Sequence, residues 1–504
     1  MFTRLLPAIA WAAGLAAAGP PGAPLNPAFE SRPVAAPQTR IDELVFSHLS
    51  DLHIAPANLS SDAVFLRRAF LDTIGVLPTA QEAQKFLADT DPAKRAAVVD
   101  QLLDREEFAD YWANKWSDLL RVKAEFPINL WPNAAQAYHH WIRASIRANK
   151  PYDQFARELL TTSGSNFRAA PVNFYRAMQG RDPQVIARTV ALTFMGARAD
   201  KWPAPHLSDM AVFFSRIGYK ETGEWKEEIV FFDPAKPATA VGRFPDGTTV
   251  KLAPADDPRE AFAAWLTAPK NPWFARAIVN RVWSWLLGRG IVHEPDDIRP
   301  DNSPENPELL AYLEGELVRS HYDLKAVYRL ILNSQTYQLS SIPRADRDLA
   351  AAHFAAYPLR RLDAETVIDA LNQITGTSEQ YSSAIPEPYT YMPEDQRATA
   401  LPDGSITSAF LELFGRPPRD TGQESERNNR LTDAQRLHML NSSHVLNKLQ
   451  QGPKLRALYR TPRQLYLAIL SRYPTDDEMK LMSKIPVQDI AWALINSTEF
   501  LYRH

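Results

Sequence analysis

Proline is the feature that most constrains the fold, with 40 prolines among 504 residues. Because proline lacks an amide proton and its ring clashes with the preceding turn, it breaks helix interiors. The chain is therefore predicted to form numerous short helices joined by stiff loops, and long coiled coils are not expected. Apolar residues make up 45% of the chain, which is enough for a substantial core.

Helical periodicity is clear on both sides of the middle of the chain. Phe108, Trp112 and Trp116 repeat at four-residue spacing and define one buried stripe. Thr79, followed three residues later by Glu82, has the form of a capping box that satisfies exposed amides at a helix start. Signals of the same kind predict helix starts at Asn306, Thr432 and Thr475.

A further helix is predicted after Asn271, with Pro272 as its first residue and Gly288 just past its end. Proline is tolerated at this position because the first amides of a helix have no partner within the helix.

The pattern changes between residues 218 and 255. Two short β-type runs, 241–244 and 248–252, flank Pro245-Asp246-Gly247, and Asp-Gly between such runs is a strong hairpin signal. The fold class is therefore predicted to be mainly α, with two helical domains and a small β-hairpin insertion or bridge between them. The predicted bounds are 41–217 for the first helical domain, 218–255 for the bridge and 256–504 for the second helical domain.

Charge and cysteine content exclude several classes of function. The formal net charge is −3, and the closest approach to a basic stripe is the isolated pair Arg360-Arg361, so nucleic acid is not expected as a partner. The chain has no cysteine. That rules out disulfides, thiolate metal ligands, covalent c-type haem and a cysteine nucleophile.

The N-terminus has the pattern of a secretion signal. Arg4 supplies a positive charge, residues 5–18 form a short apolar run, and small residues at 16–18 suit cleavage. We predict a signal peptide at 1–24, a flexible lead-in at 25–40, and a periplasmic or secreted protein. No later segment is long and apolar enough to be predicted as a transmembrane helix.

Two groups of possible metal ligands are interpreted as structural. The segment 48–53, His-Leu-Ser-Asp-Leu-His, is similar to the first metal motif of calcineurin-like phosphoesterases, but the motifs that accompany it there are missing. We interpret it as one helix turn with His48 and Asp51 on its surface. The proline-rich loop 296–305 has several oxygen ligands, including Asp296 and Glu305, but lacks EF-hand spacing. The sequence thus predicts no metal and no cofactor.

An arginine-rich and glutamate-rich segment offers the best candidates for ligand binding. These candidates are Arg416, Arg419, Glu424, Glu426 and Arg427. Arginines in such a cluster either form ion pairs with the neighbouring carboxylates or bind a carboxylate, sulfate or phosphate group. A deep pocket with converging carboxylates would favour the second interpretation and even a hydrolase.

Segments along nearly the whole chain after the signal resemble the planctomycete cytochrome-associated domain pair, two domains of unknown function (fifteen-forty-nine and fifteen-fifty-three). The first domain's resemblance lies in segments 67–79, 159–166 and 171–176. The second domain's resemblance lies in segments 271–290, 306–310, 322–325, 334–341, 414–418, 440–442 and 494–500.

The chain departs from this family at two cysteine-containing segments. Relatives typically have a Cys-x-x-Cys-His stretch where this chain continues into Lys201-Trp202, and a Cys-x-Cys-Glu-Arg stretch where it has Gln423-Glu424-Ser425-Glu426-Arg427. Because both elements are lost together, we infer that they form one metal or haem-linked site in relatives. Lys201, Trp202, Gln423 and Ser425 would then mark a degenerate site, and Lys201 is expected to lie near Gln423.

The resemblance implies an extracytoplasmic protein of unknown function, and we expect a cofactor-free binding or scaffold member whose partners are envelope proteins or polysaccharide. One alternative is a hydrolase acting on acidic or sulfated glycans. Another is an accessory protein that docks to a separate c-type cytochrome, which an exposed apolar patch near Trp202 and His206 would support.

Overall fold

The computed structural model describes residues 25–34, 36–386, 389–459 and 461–504. The predicted signal peptide, 1–24, lies outside the described residues. None of the described helices has the length and apolar character needed to cross a membrane.

Helices dominate the described chain, so the mainly α prediction is confirmed. Before the central strands the helices are α1 Arg40–Asp51, α2 Asp62–Thr73, α3 Ala80–Ala88, α4 Lys94–Leu103, α5 Glu106–Leu119, α6 Pro132–Arg147, α7 Tyr152–Thr161, α8 Asn173–Arg176, α9 Pro183–Met195 and α10 Ala204–Ala211. After the central strands they are α11 Pro258–Leu266, α12 Phe274–Leu287, α13 Pro307–Arg319, α14 Leu324–Leu332, α15 Gln335–Gln338, α16 Arg347–Ala352, α17 Ala364–Thr375, α18 Ala409–Leu413, α19 Asp433–Asn441, α20 Ser443–Gln451, α21 Pro453–Leu458, α22 Pro462–Leu470, α23 Asp476–Met482, α24 Val487–Ile495 and α25 Thr498–Leu501.

Local capping sets several of these helix starts as predicted. Thr79, Thr432 and Thr475 each form a complete capping box with the residue three positions later. Asn306 caps α13, because its side chain accepts a hydrogen bond from the Leu309 amide. These contacts span only three residues, which is why the sequence alone is enough to predict them.

The helix predicted to begin at Pro272 begins instead at Phe274. The Asn271 side chain accepts hydrogen bonds from the amides of both Trp273 and Phe274, each at 3.0 Å. It therefore stabilises a turn that precedes the helix, and the first helical residue is displaced by two positions. The predicted end is confirmed, since Gly288 closes α12 in a left-handed conformation.

Short antiparallel strand pairs complete the secondary structure. β1 Glu30–Arg32 pairs with β2 Leu59–Ser60, β5 Glu228–Phe232 lies between β3 Gly164–Ser165 and β4 Ile217–Glu221, β6 Val241–Arg243 pairs with β7 Thr249–Lys251, and β8 Arg360–Arg361 pairs with β9 Tyr502–Arg503. The β6–β7 pair is the predicted hairpin, with Gly247 at a positive φ in its turn.

The segment predicted as a flexible lead-in contains β1. Glu30 is buried there, and its carboxylate accepts hydrogen bonds from the Asn58 side chain at 2.9 Å and from the Asn26 amide at 3.0 Å. These polar contacts order a segment whose composition suggests flexibility.

Two hydrophobic cores organise the molecule. The larger core is built from residues between Ile41 and Tyr357, with Leu467 added from the C-terminal part. The smaller core is built from residues between Leu362 and Phe500, with Leu71 and Leu77 added from the N-terminal part. Most residues of the larger core therefore precede residue 360 and most of the smaller core follow it, and α2 packs into both cores.

A cation-lined cleft as the candidate functional site

One wall of a surface cleft is formed by α9 and the 3₁₀ turn Ala199–Lys201 that follows it. Asp182 caps the start of α9 by accepting a hydrogen bond from the Gln184 amide. Gly196 ends the helix at a φ of 57°. A Cβ atom there would lie 2.8 Å from the Pro295 carbonyl oxygen, so the close approach of the chain to residues 295–298 requires glycine.

The opposite wall is the loop from Asp420 to Gln423. Buried Arg121 donates a hydrogen bond from Nε to the Thr421 carbonyl oxygen at 3.0 Å. The Gln179 side chain donates to the Asp420 carbonyl oxygen at 3.0 Å, and Lys123 forms an ion pair with the Asp420 carboxylate at 2.7 Å. Three side chains from the segments after α5 and before α9 therefore hold the loop in place.

The cleft has a volume of about 470 Å³, and both Lys201 and Gln423 line it. The structure thus brings together Lys201 and Gln423, the two positions that the sequence analysis expects to lie close to each other. Trp202 packs partly buried against the larger core, and Ser425 is exposed, with its hydroxyl donating to the Gln423 side chain at 3.4 Å.

The residues now at these positions do not fit the metal or haem-linked group inferred for relatives. The Lys201 ammonium is ion-paired with Asp297 at 2.9 Å, and the neighbouring Trp202 and Gln423 side chains offer neither a thiolate nor an imidazole ligand.

Positive charge dominates the lining of the cleft. Its cationic side chains are Arg121, Arg188, Arg198 and Lys201, and its carboxylates are Asp200 and Asp420. Arg198 approaches Glu294 at 3.6 Å. Arg188 is exposed and has no ion pair or hydrogen bond from its side chain to any described residue.

Arg121 contributes a charge that is already desolvated. Burial lowers the pKa of its guanidinium to about 10, so the group stays protonated at neutral pH. Within the described residues its Nη1 atom is buried without a hydrogen-bond partner. A buried cationic donor of this kind gains more from an anion than an exposed one does, because less water has to be displaced.

The arginines predicted as ligand-binding candidates lie beside the cleft but do not line it. Arg419 is fully buried and forms an ion pair with Asp118 at 2.9 Å. Arg427 contacts Asp118 at 2.6 Å and Glu365 at 2.7 Å. Arg416 is buried as well, and its Nε atom lies 3.7 Å from Glu365. These guanidinium groups join α5, α17 and the loop 416–427.

The two glutamates of the candidate set act on the cleft indirectly. Glu426 accepts a hydrogen bond from the Asp420 amide at 2.8 Å and so shapes the loop wall. Glu424 accepts from the Trp285 indole at 3.0 Å, and its own amide donates to Asp296 at 2.6 Å. Burial and the Asp296 carboxylate raise the pKa of Glu424.

A second depression, which we call the aromatic groove, lies on the other side of the segment 176–181. It has a volume of about 530 Å³, and its lining includes Trp225, the cationic residues Arg176, Arg181 and Lys226, and the carboxylates of Glu221, Glu224, Glu227 and Glu228. Trp225 is 69% exposed and lies edge-on to Trp131, with ring centroids 6.3 Å apart. Tyr389 is also exposed, and the centroid of its ring lies 5.5 Å from that of Trp131.

The sequence analysis missed this groove and the roles of Arg121 and Arg188. Trp131 and Trp225 fall outside the helical stripes that mark core positions, and that placement is the one signal that could have separated them from core tryptophans. For Arg121 and Arg188 no local signal exists, because only the tertiary fold brings them to the cleft.

Two family models match the chain. PSCyt2, described as a protein of unknown function (DUF1549), matches residues 40–202, and PSD1, described as a protein of unknown function (DUF1553), matches residues 258–485. The first wall of the cleft lies in the first matched region and the second wall lies in the other. A search of the curated proteins and a search of solved structures each find no match.

Proposed function

We propose that this chain, which belongs to the family of proteins of unknown function that carry the PSCyt2 and PSD1 domains, is a binding protein. Its ligand would be an anionic polysaccharide held in the cation-lined cleft. The chain would bind it outside the cytoplasm, as the pattern of residues 1–24 suggests.

The observation that carries this proposal is the excess of positive charge in the cleft. Four cationic side chains face two carboxylates, and Arg188 has no partner among the described residues. A guanidinium group presents a planar set of donors that matches a carboxylate or a sulfate in two parallel hydrogen bonds. An anionic group of a ligand could therefore bind Arg188 without first breaking an ion pair.

The aromatic groove supports a polysaccharide as the ligand. Both depressions are lined by residues of the segment 176–181, namely Gln179 on the cleft side and Arg176 and Arg181 on the groove side. Exposed aromatic rings offer apolar faces on which sugar rings can stack. A long chain could place its acidic groups in the cleft and a sugar face on Trp225, which is 69% exposed.

The hydrolase alternative is not proposed, because the arginines on which it depends are buried in ion pairs with Asp118 and Glu365. The cytochrome-docking alternative is not proposed either. Among the described residues between Phe126 and Trp225, no large apolar side chain is exposed, so this part of the sequence offers no support for docking near Trp202 and His206.

Binding of dextran sulfate, with uncharged dextran for comparison, tests the proposal by calorimetric titration. We expect dextran sulfate to bind and dextran not to bind. Arg188→Gln should weaken binding roughly 10- to 150-fold, because one charge-assisted contact contributes roughly 1.5–3 kcal/mol. Arg463→Gln is the matched control, since Arg463 is an exposed arginine on α22, away from the cleft. Failure of dextran sulfate to bind, or equal binding by the Arg188→Gln variant, would contradict the proposal.

A further inference from the structure

Three side chains from distant parts of the sequence converge at a second place in the molecule, apart from the cleft. His48 lies on α1, Glu305 lies just before the cap of α13, and His353 follows α16. One ligand atom from each residue lies within 4.8 Å of the other two. We call this group the His48–Glu305–His353 cluster.

The Glu305 carboxylate is the centre of the cluster. Its Oε1 atom lies 2.7 Å from Nδ1 of His353 and 3.6 Å from Nε2 of His48. The centroids of the two imidazole rings are 5.7 Å apart. In a tetrahedral zinc site with bonds of about 2.0 Å, two ligand atoms lie roughly 3.3 Å apart. The cluster is therefore within small side-chain rotations of that geometry.

Both imidazole nitrogens that face the carboxylate lack a directed hydrogen bond. Nε2 of His48 and Nδ1 of His353 are buried, and neither has a hydrogen-bond partner among the described residues. The short distance from His353 to Glu305 does not have hydrogen-bond geometry. Buried polar atoms almost always have hydrogen-bond partners, so two nitrogens without one beside a single carboxylate are suited to share a cation with it.

The main chain holds the three ligands in place. The Glu305 amide donates to the Ile291 carbonyl oxygen at 2.7 Å. The next residue, Asn306, donates from its side chain to the Leu44 carbonyl oxygen of α1 at 3.1 Å, which fixes α1 against α13. The His353 amide donates to the Leu349 carbonyl oxygen at 3.1 Å at the end of α16. The ligands are thus positioned before any ion arrives, which lowers the cost of binding one.

We propose that the His48–Glu305–His353 cluster binds a divalent transition metal of the zinc type, with two imidazoles and one carboxylate as ligands. This ligand set suits zinc far better than calcium or magnesium, which prefer oxygen ligands alone. The side chains of His48 and Glu305 are each 29% exposed, so the cluster lies close to the surface although its facing nitrogen atoms are buried, and the three side chains leave the fourth ligand of a zinc ion to a water molecule. Three protein ligands with an open position are the arrangement found at catalytic zinc sites.

The metal would join the two regions that the family models match. His48 lies in the first region, while Glu305 and His353 lie in the second. Binding of an ion by the folded protein alone adds to its stability in proportion to the logarithm of ion concentration. This site departs from the sequence-based expectation of no metal, because its ligands come from three segments that only the tertiary fold brings together.

The test is a zinc titration of the full chain after dialysis against a chelator. We expect one zinc ion per chain by calorimetry, no competition from calcium, and a zinc-dependent rise in the melting temperature. Glu305→Gln, His48→Ala and His353→Ala should each weaken zinc binding at least tenfold and abolish that rise. The exposed His206 provides the control His206→Ala, which should bind zinc as the wild type does.

Glu305→Gln keeps the size and shape of the side chain, so it answers the question even if a histidine variant fails to fold. Absence of zinc binding by the wild type would overturn the proposal and leave the cluster as a carboxylate flanked by two histidines. Unchanged affinity in the Glu305→Gln variant would overturn it as well. Neither measurement depends on the cation-lined cleft.

Discussion

Arginine side chains act as polar cross-links inside this protein. Arg67 is fully buried and donates to the Ile469 carbonyl oxygen at 2.8 Å and to that of Phe500 at 3.0 Å. Arg419 and Arg427 also link distant segments, but they do so through ion pairs with carboxylates. A sequence records charge but not burial, so Arg416, Arg419 and Arg427 were equally consistent with a ligand site and with internal ion pairs. The structure shows that these three arginines form internal ion pairs.

Glu365 provides a test at this scale. Burial raises the pKa of its carboxyl group, but the Arg427 guanidinium outweighs burial and brings the pKa from 4.5 down to about 2. Because the pKa in the folded state is the lower one, the stability it contributes is present above pH 4.5 and is lost as the pH falls from 4.5 towards 2.

Glu365→Gln should therefore lower the free energy of unfolding by about 3 kcal/mol at pH 7, since it leaves buried arginines without their partner. By pH 3 the difference from the wild type should be much smaller. Urea unfolding at the two pH values measures both effects, and Glu412→Gln, at an exposed position, is the control. An equal difference at both pH values would refute the ion-pair account.

At the scale of the elements, the conformation of the loop 420–423, which forms one wall of the cleft, depends on one glycine. Gly422 has a φ of 70°, and a Cβ atom there would lie 2.7 Å from Cζ of Arg121. The left-handed conformation and the close approach of the guanidinium both favour glycine.

Gly422→Ala should destabilise the protein by about 1 kcal/mol and displace the loop from Arg121, because backbone strain and steric contact act together. Dextran sulfate binding should weaken in parallel. Gly315→Ala is the control, since Gly315 lies on α13, lines neither the cleft nor the aromatic groove, has an ordinary φ, and an added Cβ would meet only the Arg319 side chain at 3.8 Å. Thermal unfolding and calorimetric titration of both variants give the comparison, and equal behaviour would show that the loop does not depend on Gly422.

The secondary-structure elements also show which features of the fold can be predicted from the sequence. Caps at Thr79, Asn306, Thr432 and Thr475 and the 241–251 hairpin were predictable, because each rests on contacts within a few residues. The start of α12 was missed because Asn271 stabilises a turn before the helix. Lys201 and Gln423 could be paired only through the family resemblance. His48, Glu305 and His353 could not be grouped at all, since no local signal links three distant segments.

For the whole molecule, the decisive feature is that the two cores interlock. Leu71 and Leu77 enter the smaller core, and Leu467 enters the larger one. Arg503, next to the last residue, is buried and pairs with Asp72 at 3.0 Å and with Asp363 at 3.2 Å. A substitution that destabilises one core is therefore expected to destabilise the other as well.

Arg503→Met should lower the free energy of unfolding by about 3 kcal/mol, because it removes one cation from two buried carboxylates and leaves Asp72 with Arg360 and Asp363 with Lys115. A single unfolding transition should remain, because the two cores share residues. Differential scanning calorimetry can detect whether the transition splits. Arg463→Met, at an exposed arginine, should leave the melting temperature unchanged. Two separate transitions in the wild type would show that the cores unfold independently.

The ion pairs from Asp118 to Arg419 and Arg427 have a consequence for how such chains can change. They join residues of the first matched region to residues of the second. Each partner of these ion pairs, like each wall of the cleft, therefore comes from a different matched region. Loss of the Asp118 carboxylate would take a counter-charge from two buried guanidinium groups at once, so a change at this position in the first region calls for a compensating change in the second.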